Sequence, residues 1–190
     1  MQVVIATHNK GKLAEISRIL APLGIQAITA DGLSDPEENG KTFAENAFIK
    51  ASAACRETGL PAIADDSGLC VDALGGEPGV YTARYAPVGQ RKATVLKKLE
   101  GLPRLERTAR FTAAVCCVFP DGRVITAEGS CEGYIGTACR GEGGFGYDPI
   151  FEIEDGRTFA EIADGEKDAM SHRGKALRQL KEKLQAELEK

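Results

Sequence analysis

The chain has 190 residues, enough for one domain with a sizeable core or for one domain of two lobes. Hydrophobic residues make up 43% and charged residues 27%, as in ordinary globular proteins, and no stretch approaches the roughly 20 apolar residues of a membrane span. The net charge of −4 argues against a long nucleic-acid footprint, so we expect neither a nucleic-acid polymer nor a membrane as a partner.

The first residues and the cysteines indicate the compartment. The segment MQVVIATHNKGK lacks the basic start, the long apolar stretch and the small-residue cleavage site of a signal peptide. The six cysteines contain no CxxC pair, and with two histidines no zinc-ligand spacing occurs, so we interpret most of them as small, buried, reduced thiols. We therefore predict a cytoplasmic protein.

Strand and helix patterns alternate in the first third of the chain. Residues 3–6 form an apolar run typical of a buried strand, and apolar residues then recur at helical spacing over residues 13–23. Gly24 is the natural end of that helix, and residues 25–29 predict a second short strand.

A capping box opens the next helix. The Thr42 hydroxyl is followed three residues later by the Glu45 carboxylate, and we expect the helix to end at Gly59. The apolar run of residues 60–64 then predicts a buried strand that ends at the carboxylates of the sequence ADDSG.

The second half is predicted to begin with a glycine-rich irregular stretch and a helix near residues 94–99. Residues 111–119 and 124–127 flank a Pro-Asp-Gly turn and predict a hairpin, and residues 149–153 predict a further strand. Ser171 is placed to cap a last amphipathic helix. We therefore predict an α/β fold in which helices flank a mixed β-sheet.

The sequence ATHNKGK joins the first strand to the first helix. Such a turn offers backbone N–H groups and the positive end of a helix to a phosphate. Its charged, polar and small residues suit this role: Thr7, Asn9, Lys10, Gly11 and Lys12. It is not a P-loop, which needs GxxxxGK[ST], and the alternative is an ordinary strand–helix turn with solvated lysines.

Four acids are candidates for metal binding and proton transfer: Glu37 and Glu38 in a loop, and Asp65 and Asp66 after a strand. A magnesium ion takes a few hard oxygen ligands and is usually completed by water and substrate phosphates, so one aspartate and one loop glutamate would suffice. Consecutive side chains of an extended segment point in opposite directions, which predicts different roles for the two aspartates. The alternatives are a solvated acidic loop and turn-capping aspartates.

Two later segments also carry polar chemistry. The loop GEGGFGYDP places Phe145 and Tyr147 among glycines, where a ring can stack on a base or anchor the loop to the core. In SHRGKAL, His172 and Arg173 would lie in the first turn of the last helix, where cations oppose the helix dipole. A residue placed against a local preference often has a function.

The segments ATHNKGK, ENAFIKA, ADDSGLCVDALGGEPGVYTARYA, GGFGYDPIF and SHRGKAL, in that order and spacing, resemble the inosine triphosphate pyrophosphatase (ITPase-like) family over nearly the whole chain. The resemblance implies a single domain over residues 1–190, an elongated mixed sheet with two lobes around a central cleft, and a homodimer. It also implies Mg²⁺-dependent hydrolysis of non-standard purine nucleoside triphosphates (ITP, dITP and XTP) to the monophosphate and pyrophosphate.

The resemblance further implies roles for individual residues. Asp66 is the general base and a metal ligand, and Glu38 is the second metal ligand, with Glu37 as the alternative. Lys50, in ENAFIKA, is a further phosphate candidate. The substrate-binding residues are Thr7, His8, Asn9, Lys10, Gly11, Lys12, Ser67, Phe145, Gly146, Tyr147, Asp148, Lys167, His172 and Arg173.

These roles lead to a mechanistic hypothesis. Asp66 takes the proton of a water that attacks the α-phosphorus, while Mg²⁺ and Lys12 stabilise the departing pyrophosphate. His172 and Arg173, or their backbone N–H groups, donate to the 6-oxo group of the base, which favours ITP over ATP. The alternatives are a nucleotide-binding module without hydrolysis and a pyrophosphatase for pyrimidine or modified-base substrates. An aspartyl-phosphate hydrolase is disfavoured because ADDSG lacks a DxD motif.

Overall fold

The computed structural model describes residues 2–29 and 32–188. The strands are β1 (Gln2–Ile5), β2 (Gln26–Ile28), β3 (Ala62–Val71), β4 (Thr108–Val118), β5 (Val124–Ile135) and β6 (Phe151–Glu152). The helices are α1 (Lys10–Leu20), α2 (Phe43–Thr58), α3 (Arg91–Lys98), α4 (Asp164–Met170) and α5 (His172–Leu188). None of the helices in the described part of the chain combines the length and hydropathy that a bilayer-spanning helix requires.

The strands form one mixed sheet in the order β2-β1-β3-β4-β5-β6. Strand β1 is parallel to both β2 and β3, and β5 is antiparallel to β6. The turn between β4 and β5 is closed by hydrogen bonds from Phe119 N to Arg123 O at 2.9 Å and from Gly122 N to Phe119 O at 3.0 Å. The predicted α/β class, with a mixed sheet, is confirmed.

The chain divides into two compact units. The first unit comprises Met1–Asp66, Ala113–Gly129 and His172–Lys190, and the second comprises Ser67–Thr112 and Ser130–Ser171. Strands β3, β4 and β5 contribute residues to both units. This division agrees with the two lobes expected from the sequence.

The first unit has a core on each face of its part of the sheet. Side chains alternate along β1, so Val3 and Ile5 pack in one cluster and Val4 in another. Helices α1 and α5 contribute to the first cluster, and α2 contributes to the second. Burial on both faces is typical of parallel strands, whose side chains are apolar in both directions.

The second unit has an aromatic core. The rings of Phe111 and Phe151 have centroids 4.7 Å apart, and Phe159 lies 4.9 Å from Phe151. Tilted pairs at such distances are favourable arrangements for aromatic rings. This core provides the support for the glycine-rich loop that precedes β6.

Helix α2 has the ends that its sequence predicts. Thr42 Oγ1 accepts the Glu45 backbone N–H at 3.2 Å, which satisfies one of the first N–H groups of the helix. Gly59 ends the helix with φ of 68°, a left-handed conformation that glycine adopts without a steric penalty.

Three sequence-based expectations were wrong. Strand β3 does not end at the two aspartates but continues to Val71, because the residues beyond Ser67 again alternate into a core. Strand β6 has two residues instead of five. Helix α4 was missed, because Asp164–Met170 has few apolar residues and no helical stripe.

Candidate active site

The turn between β1 and α1 is shaped by its own side chains. Asn9 is the N-cap of α1, and its Oδ1 accepts the backbone N–H groups of Gly11 at 2.9 Å and of Lys12 at 3.2 Å. Thr7 Oγ1 accepts the Asn9 N–H at 3.2 Å. The oxygens of Thr7 and Asn9 therefore hold the turn, while the side chains of His8 and Lys10 are exposed.

Asp65 is the centre of a buried ionic cluster in the first unit. Its Oδ2 lies 3.1 Å from Lys12 Nζ and accepts a hydrogen bond from Arg173 Nε at 3.0 Å. Arg173 Nη1 also pairs with Glu15 of α1. The side chains of Asp65 and Arg173 are 0% and 2% exposed, so these charges are matched almost without water. The cluster joins β3, α1 and α5.

The ionic cluster sets the charge states of its members. Burial alone would raise the pKa of Asp65, but Lys12 and Arg173 outweigh burial and hold the pKa of this carboxyl well below its usual range. Burial lowers the pKa of Lys12, and the negative charge of Asp65 opposes that shift. Asp65 is therefore a permanent carboxylate that keeps a lysine and an arginine close together.

Asp66 has different partners. Its Oδ1 lies 3.4 Å from Lys50 Nζ, and its Oδ2 accepts a hydrogen bond from Asn46 Nδ2 at 3.0 Å. Lys50 Nζ also lies 3.0 Å from Glu38 Oε1. Glu38 and Asp66 thus share one ammonium group. The different partners of Asp65 and Asp66 agree with the alternation predicted from the sequence.

The pKa of Asp66 is shifted in the direction opposite to that of Asp65. Burial raises the pKa of Asp66, and the positive charges of Lys50 and Lys12 compensate only in part. For Lys50, burial lowers the pKa, but Asp66, Asp65 and Glu38 outweigh it, so the pKa of Lys50 is raised and its charge is secure. Asp66 is the carboxyl group of this region that is better suited to exchange a proton near neutral pH.

The carboxylates that could hold a metal are Glu38 and Asp66. Within residues 2–29 and 32–188, no group of three or more His, Cys, Asp or Glu side chains is arranged to bind a metal. The Lys50 ammonium, however, contacts both carboxylates, which shows that their oxygens can share a cation. Glu37, the alternative ligand, is exposed.

A second polar group lies in the second unit. Lys167 Nζ is 2.7 Å from Asp148 Oδ2, and the same oxygen accepts the Phe145 backbone N–H at 2.7 Å. The ammonium also lies 5.0 Å from the centre of the Phe145 ring, a cation–π distance. Lys167 and Asp148 are buried, whereas Phe145 is half-buried.

The remaining predicted residues fall in both units. Tyr147 is buried in the aromatic core and donates its hydroxyl to Thr82 O at 3.0 Å, which is the anchoring role that the sequence left open for this loop. Gly146, with φ of 63°, forms the turn beside it. Ser67 lies in β3 in the second unit, and His172 begins α5 in the first.

Sequence reasoning missed Glu15 and Asn46. Both are buried polar residues on helices, and a signal existed for each: Glu15 follows Lys12 by three residues and Asn46 precedes Lys50 by four, so each shares a helix face with a predicted phosphate lysine.

Comparison with known proteins bears on this arrangement. The model of the Ham1 family matches residues 3–183. A dITP/XTP pyrophosphatase of Thermus thermophilus is 54% identical over an alignment of 188 positions, which covers 96% of this chain and 91% of that protein. The chain belongs to the Ham1 family.

Further relatives of this Ham1-family chain agree. A dITP/XTP pyrophosphatase of Desulforamulus reducens is 50% identical over an alignment of 194 positions, which covers 97% of this chain and 96% of that protein. The solved structure of a HAM1 protein from Coxiella burnetii superposes with a TM-score of 0.87 and 42% identity, over 98% of this chain and 99% of that chain. The family predicted from the five sequence segments is confirmed.

Proposed function

We propose that the chain hydrolyses non-standard purine nucleoside triphosphates, namely ITP, dITP and XTP, to the nucleoside monophosphate and pyrophosphate. The observation that carries the proposal is the pair Glu38 and Asp66 on one ammonium group, beside the Lys12–Asp65 pair. Two relatives that are 50% and 54% identical to this chain over nearly its whole length are named dITP/XTP pyrophosphatases, and these names support the substrate class.

Magnesium is the metal that this donor set suits. Mg²⁺ is usually bound by one or two carboxylates and completed by water and substrate phosphates, and Glu38 and Asp66 would hold it. When bound, it would neutralise charge on the triphosphate and polarise a phosphoryl oxygen. The Lys50 contacts support the fit, because a positive charge is stable against both carboxylates.

Asp66 is the proposed general base. Its pKa is raised by burial, so it is a stronger base than an ordinary carboxylate. A water oxygen forms a bond to the α-phosphorus, the bond from that phosphorus to the bridging oxygen breaks, and pyrophosphate leaves. The proton of the water passes to an Asp66 carboxylate oxygen.

The cations of the first unit are proposed to bind the triphosphate. The ammonium group of Lys12 is held in position by Asp65 and is proposed to bind a phosphate. Lys10 adds an exposed positive charge in the same turn of α1. The turn from Thr7 to Lys12, including His8, would follow the phosphates, with Lys50 as a further contact. Such charge complementarity is the main requirement of phosphoryl transfer.

Base selection is proposed to depend on the 6-oxo group. The Arg173 guanidinium is engaged with Asp65 and Glu15, so we propose that His172 and Arg173 contact this oxygen through backbone N–H groups at the start of α5. Phe145 is the proposed stacking ring, with Gly146, Tyr147, Asp148, Lys167 and Ser67 as its substrate-binding companions. Adenine carries a 6-amino donor in place of the 6-oxo acceptor, so the backbone N–H groups of His172 and Arg173 would be left without an acceptor. Each lost contact weakens binding by roughly 1–3 kcal/mol.

The experiment is a panel of ITP, dITP, XTP, GTP and ATP with identification of the products, with and without EDTA. We expect monophosphate and pyrophosphate from ITP, loss of activity with EDTA, and a preference for ITP over ATP of about tenfold or more. The Asp66→Asn variant should keep its fold by circular dichroism and lose most turnover. Normal activity of Asp66→Asn would refute the general base, and equal rates on ITP and ATP would refute the specificity.

The assembly and the compartment extend the proposal. We propose a homodimer, as the family resemblance implies, in the cytoplasm, which the free thiols of the six cysteines support. Sedimentation velocity of the purified chain tests the assembly, and a monomer at micromolar concentration would contradict it.

A further inference from the structure

Asn46 uses both ends of its side-chain amide. The residue lies in the first turn of α2 and is 0% exposed. Its Oδ1 accepts the backbone N–H of Gly40 at 2.8 Å, and its Nδ2 donates to Asp66 Oδ2 at 3.0 Å. A backbone N–H can only donate and a carboxylate can only accept, so these partners define one orientation of the amide.

The two partners belong to different parts of the candidate site. Gly40 follows Glu38 by two residues in the acidic loop, and Asp66 lies in β3. The loop is attached to α2 on either side of this point: Lys41 N donates to Glu45 Oε2 at 2.5 Å, and Ser34 N donates to Glu57 Oε2 at 3.0 Å. Asn46 joins the backbone of the loop to β3, whereas Lys50, one turn further along α2, contacts the side chains of Glu38 and Asp66.

Space around Gly40 is also limited. A Cβ added there would lie 2.6 Å from Asn46 Oδ1 and 2.7 Å from Glu45 Cβ, so the loop approaches α2 as closely as a glycine allows. Gly40 does not have a positive φ, so its requirement is one of space and not of backbone conformation. The approach brings the loop backbone within reach of the Asn46 amide.

We infer that Asn46 is a positioning residue for the reaction, which holds the Glu38 loop and Asp66 at the separation at which both carboxylates contact one cation. The inference rests on the proposed function, because it assumes that Glu38 and Asp66 hold the metal. Asn46 occupies Oδ2 of Asp66, while Oδ1 faces Lys50, so the amide also determines which carboxylate oxygen is turned toward the shared cation.

The experiment compares wild type with Asn46→Leu, which keeps a similar volume but removes both hydrogen bonds. Loss of a hydrogen bond to a charged group predicts a fall in kcat for ITP of about tenfold or more, at saturating Mg²⁺. The KM for ITP should change by less than about threefold, because the partners of Asn46 are Gly40 and Asp66 and not the turn of residues 7–12 that is proposed to follow the phosphates. Calorimetric titration with Mn²⁺ alone, without nucleotide, should show affinity weakened about tenfold.

Two further variants make the comparison specific. The same substitution at the exposed Asn39, in the same loop, should leave kcat and Mn²⁺ affinity within about twofold of wild type. Gly40→Ala pushes the loop from the Asn46 oxygen but leaves the donor to Asp66, so it should weaken Mn²⁺ binding in the same direction. It decides the matter if circular dichroism shows that Asn46→Leu is unfolded.

The outcomes separate this inference from the proposed function. The inference is overturned if the wild type hydrolyses ITP and a folded Asn46→Leu variant has the same kcat and Mn²⁺ affinity as the wild type. The proposed function stands in that case. The same follows if Gly40→Ala binds Mn²⁺ as wild type does. Wild type that releases no pyrophosphate from ITP contradicts the proposed function itself, and the inference falls with it.

Discussion

Asp65 and Asp66 are neighbours in β3, and their environments give them opposite properties. Asp65 is surrounded by cations and keeps its charge, whereas burial with partial compensation raises the pKa of Asp66. A charge that is matched by Lys12 and Arg173 is poorly suited to proton exchange but well suited to holding those two side chains in place. Two adjacent carboxyls can therefore serve structure and chemistry separately.

Asp65→Asn is expected to destabilise the protein by about 3–5 kcal/mol at neutral pH, because it removes the carboxylate that pairs with buried Lys12 and leaves Arg173 with Glu15 alone. Urea unfolding followed by circular dichroism measures the change. The matched control is Asp72→Asn, which removes a surface pair in which Arg110 and Asp72 are 40% and 47% exposed. The free energy of unfolding of that control should fall by no more than about 1 kcal/mol. Equal stabilities of the two variants would contradict the buried role.

The pH dependence of this stability difference has a definite sign. The folded-state pKa of Asp65 is lowered, so the contribution of its charge is complete above the unfolded-state pKa and is lost as pH falls through the folded-state value. The difference in the free energy of unfolding between wild type and Asp65→Asn should therefore become smaller as the pH falls below about 4. A gap that widens on acidification would contradict the assigned shift.

At the scale of elements, the position of α5 depends on a close approach to β5. A Cβ added to Gly129 would lie 2.7 Å from Ala176 N and 2.9 Å from Lys175 Cβ, and closer still to His172 O. The strand and the first turn of the helix therefore touch through backbone atoms. Because His172 and Arg173 lie in that turn, the glycine at position 129 determines where they are held.

Gly129→Ala is expected to displace the start of α5 and to cost roughly 1–3 kcal/mol of stability, as overpacking does. ITP turnover should fall with it, since residues 172 and 173 would move. The control is Gly165→Ala in the exposed part of α4, where a Cβ meets nothing within 4 Å. That change should leave stability unaltered or raise it by up to about 1 kcal/mol. A Gly129→Ala variant as stable and active as the control would disprove the close approach.

The elements also show which local signals suffice for prediction. The capping box and the final glycine defined both ends of α2, because the hydrogen bonds that end a helix are made within a few residues. The extent of β3 was not predictable in the same way, because strands are completed by partners distant in the chain. Two charged residues in a row are typical of a strand end. Here they lie within a strand, and their counterions come from the helices α1, α2 and α5.

At the scale of the whole molecule, the candidate site is assembled from distant residues. Arg173 is 158 positions from Glu15 and 108 from Asp65, and no local pattern encodes these pairs. The order of five sequence segments was enough to identify the family. The roles of Asp66 and Glu38 that follow from it stay predictions. That order could not show that the Arg173 guanidinium is occupied, because that depends on packing between α1, β3 and α5.

The cysteines are distributed over both units. Cys55, Cys116 and Cys117 lie in the clusters of the first unit and Cys131 in that of the second, whereas Cys139 is exposed. All six are free thiols, as the sequence predicted for most of them. Each buried sulfur contributes apolar contact area to a core, which explains its presence without any role in catalysis.

Thiol reactivity should follow this distribution. Burial raises the pKa of Cys116 to about 11 and that of Cys117, with help from neighbouring cysteines, to about 12, so neither forms the reactive thiolate near neutral pH. Ellman's reagent should therefore react rapidly with Cys139, and Cys139→Ser should remove that phase while ITP turnover persists. Denaturant should expose all six thiols. If Cys116 and Cys117 react in the rapid phase of the native protein, as judged by mass spectrometry of the labelled peptides, the packing of the first unit is not as described.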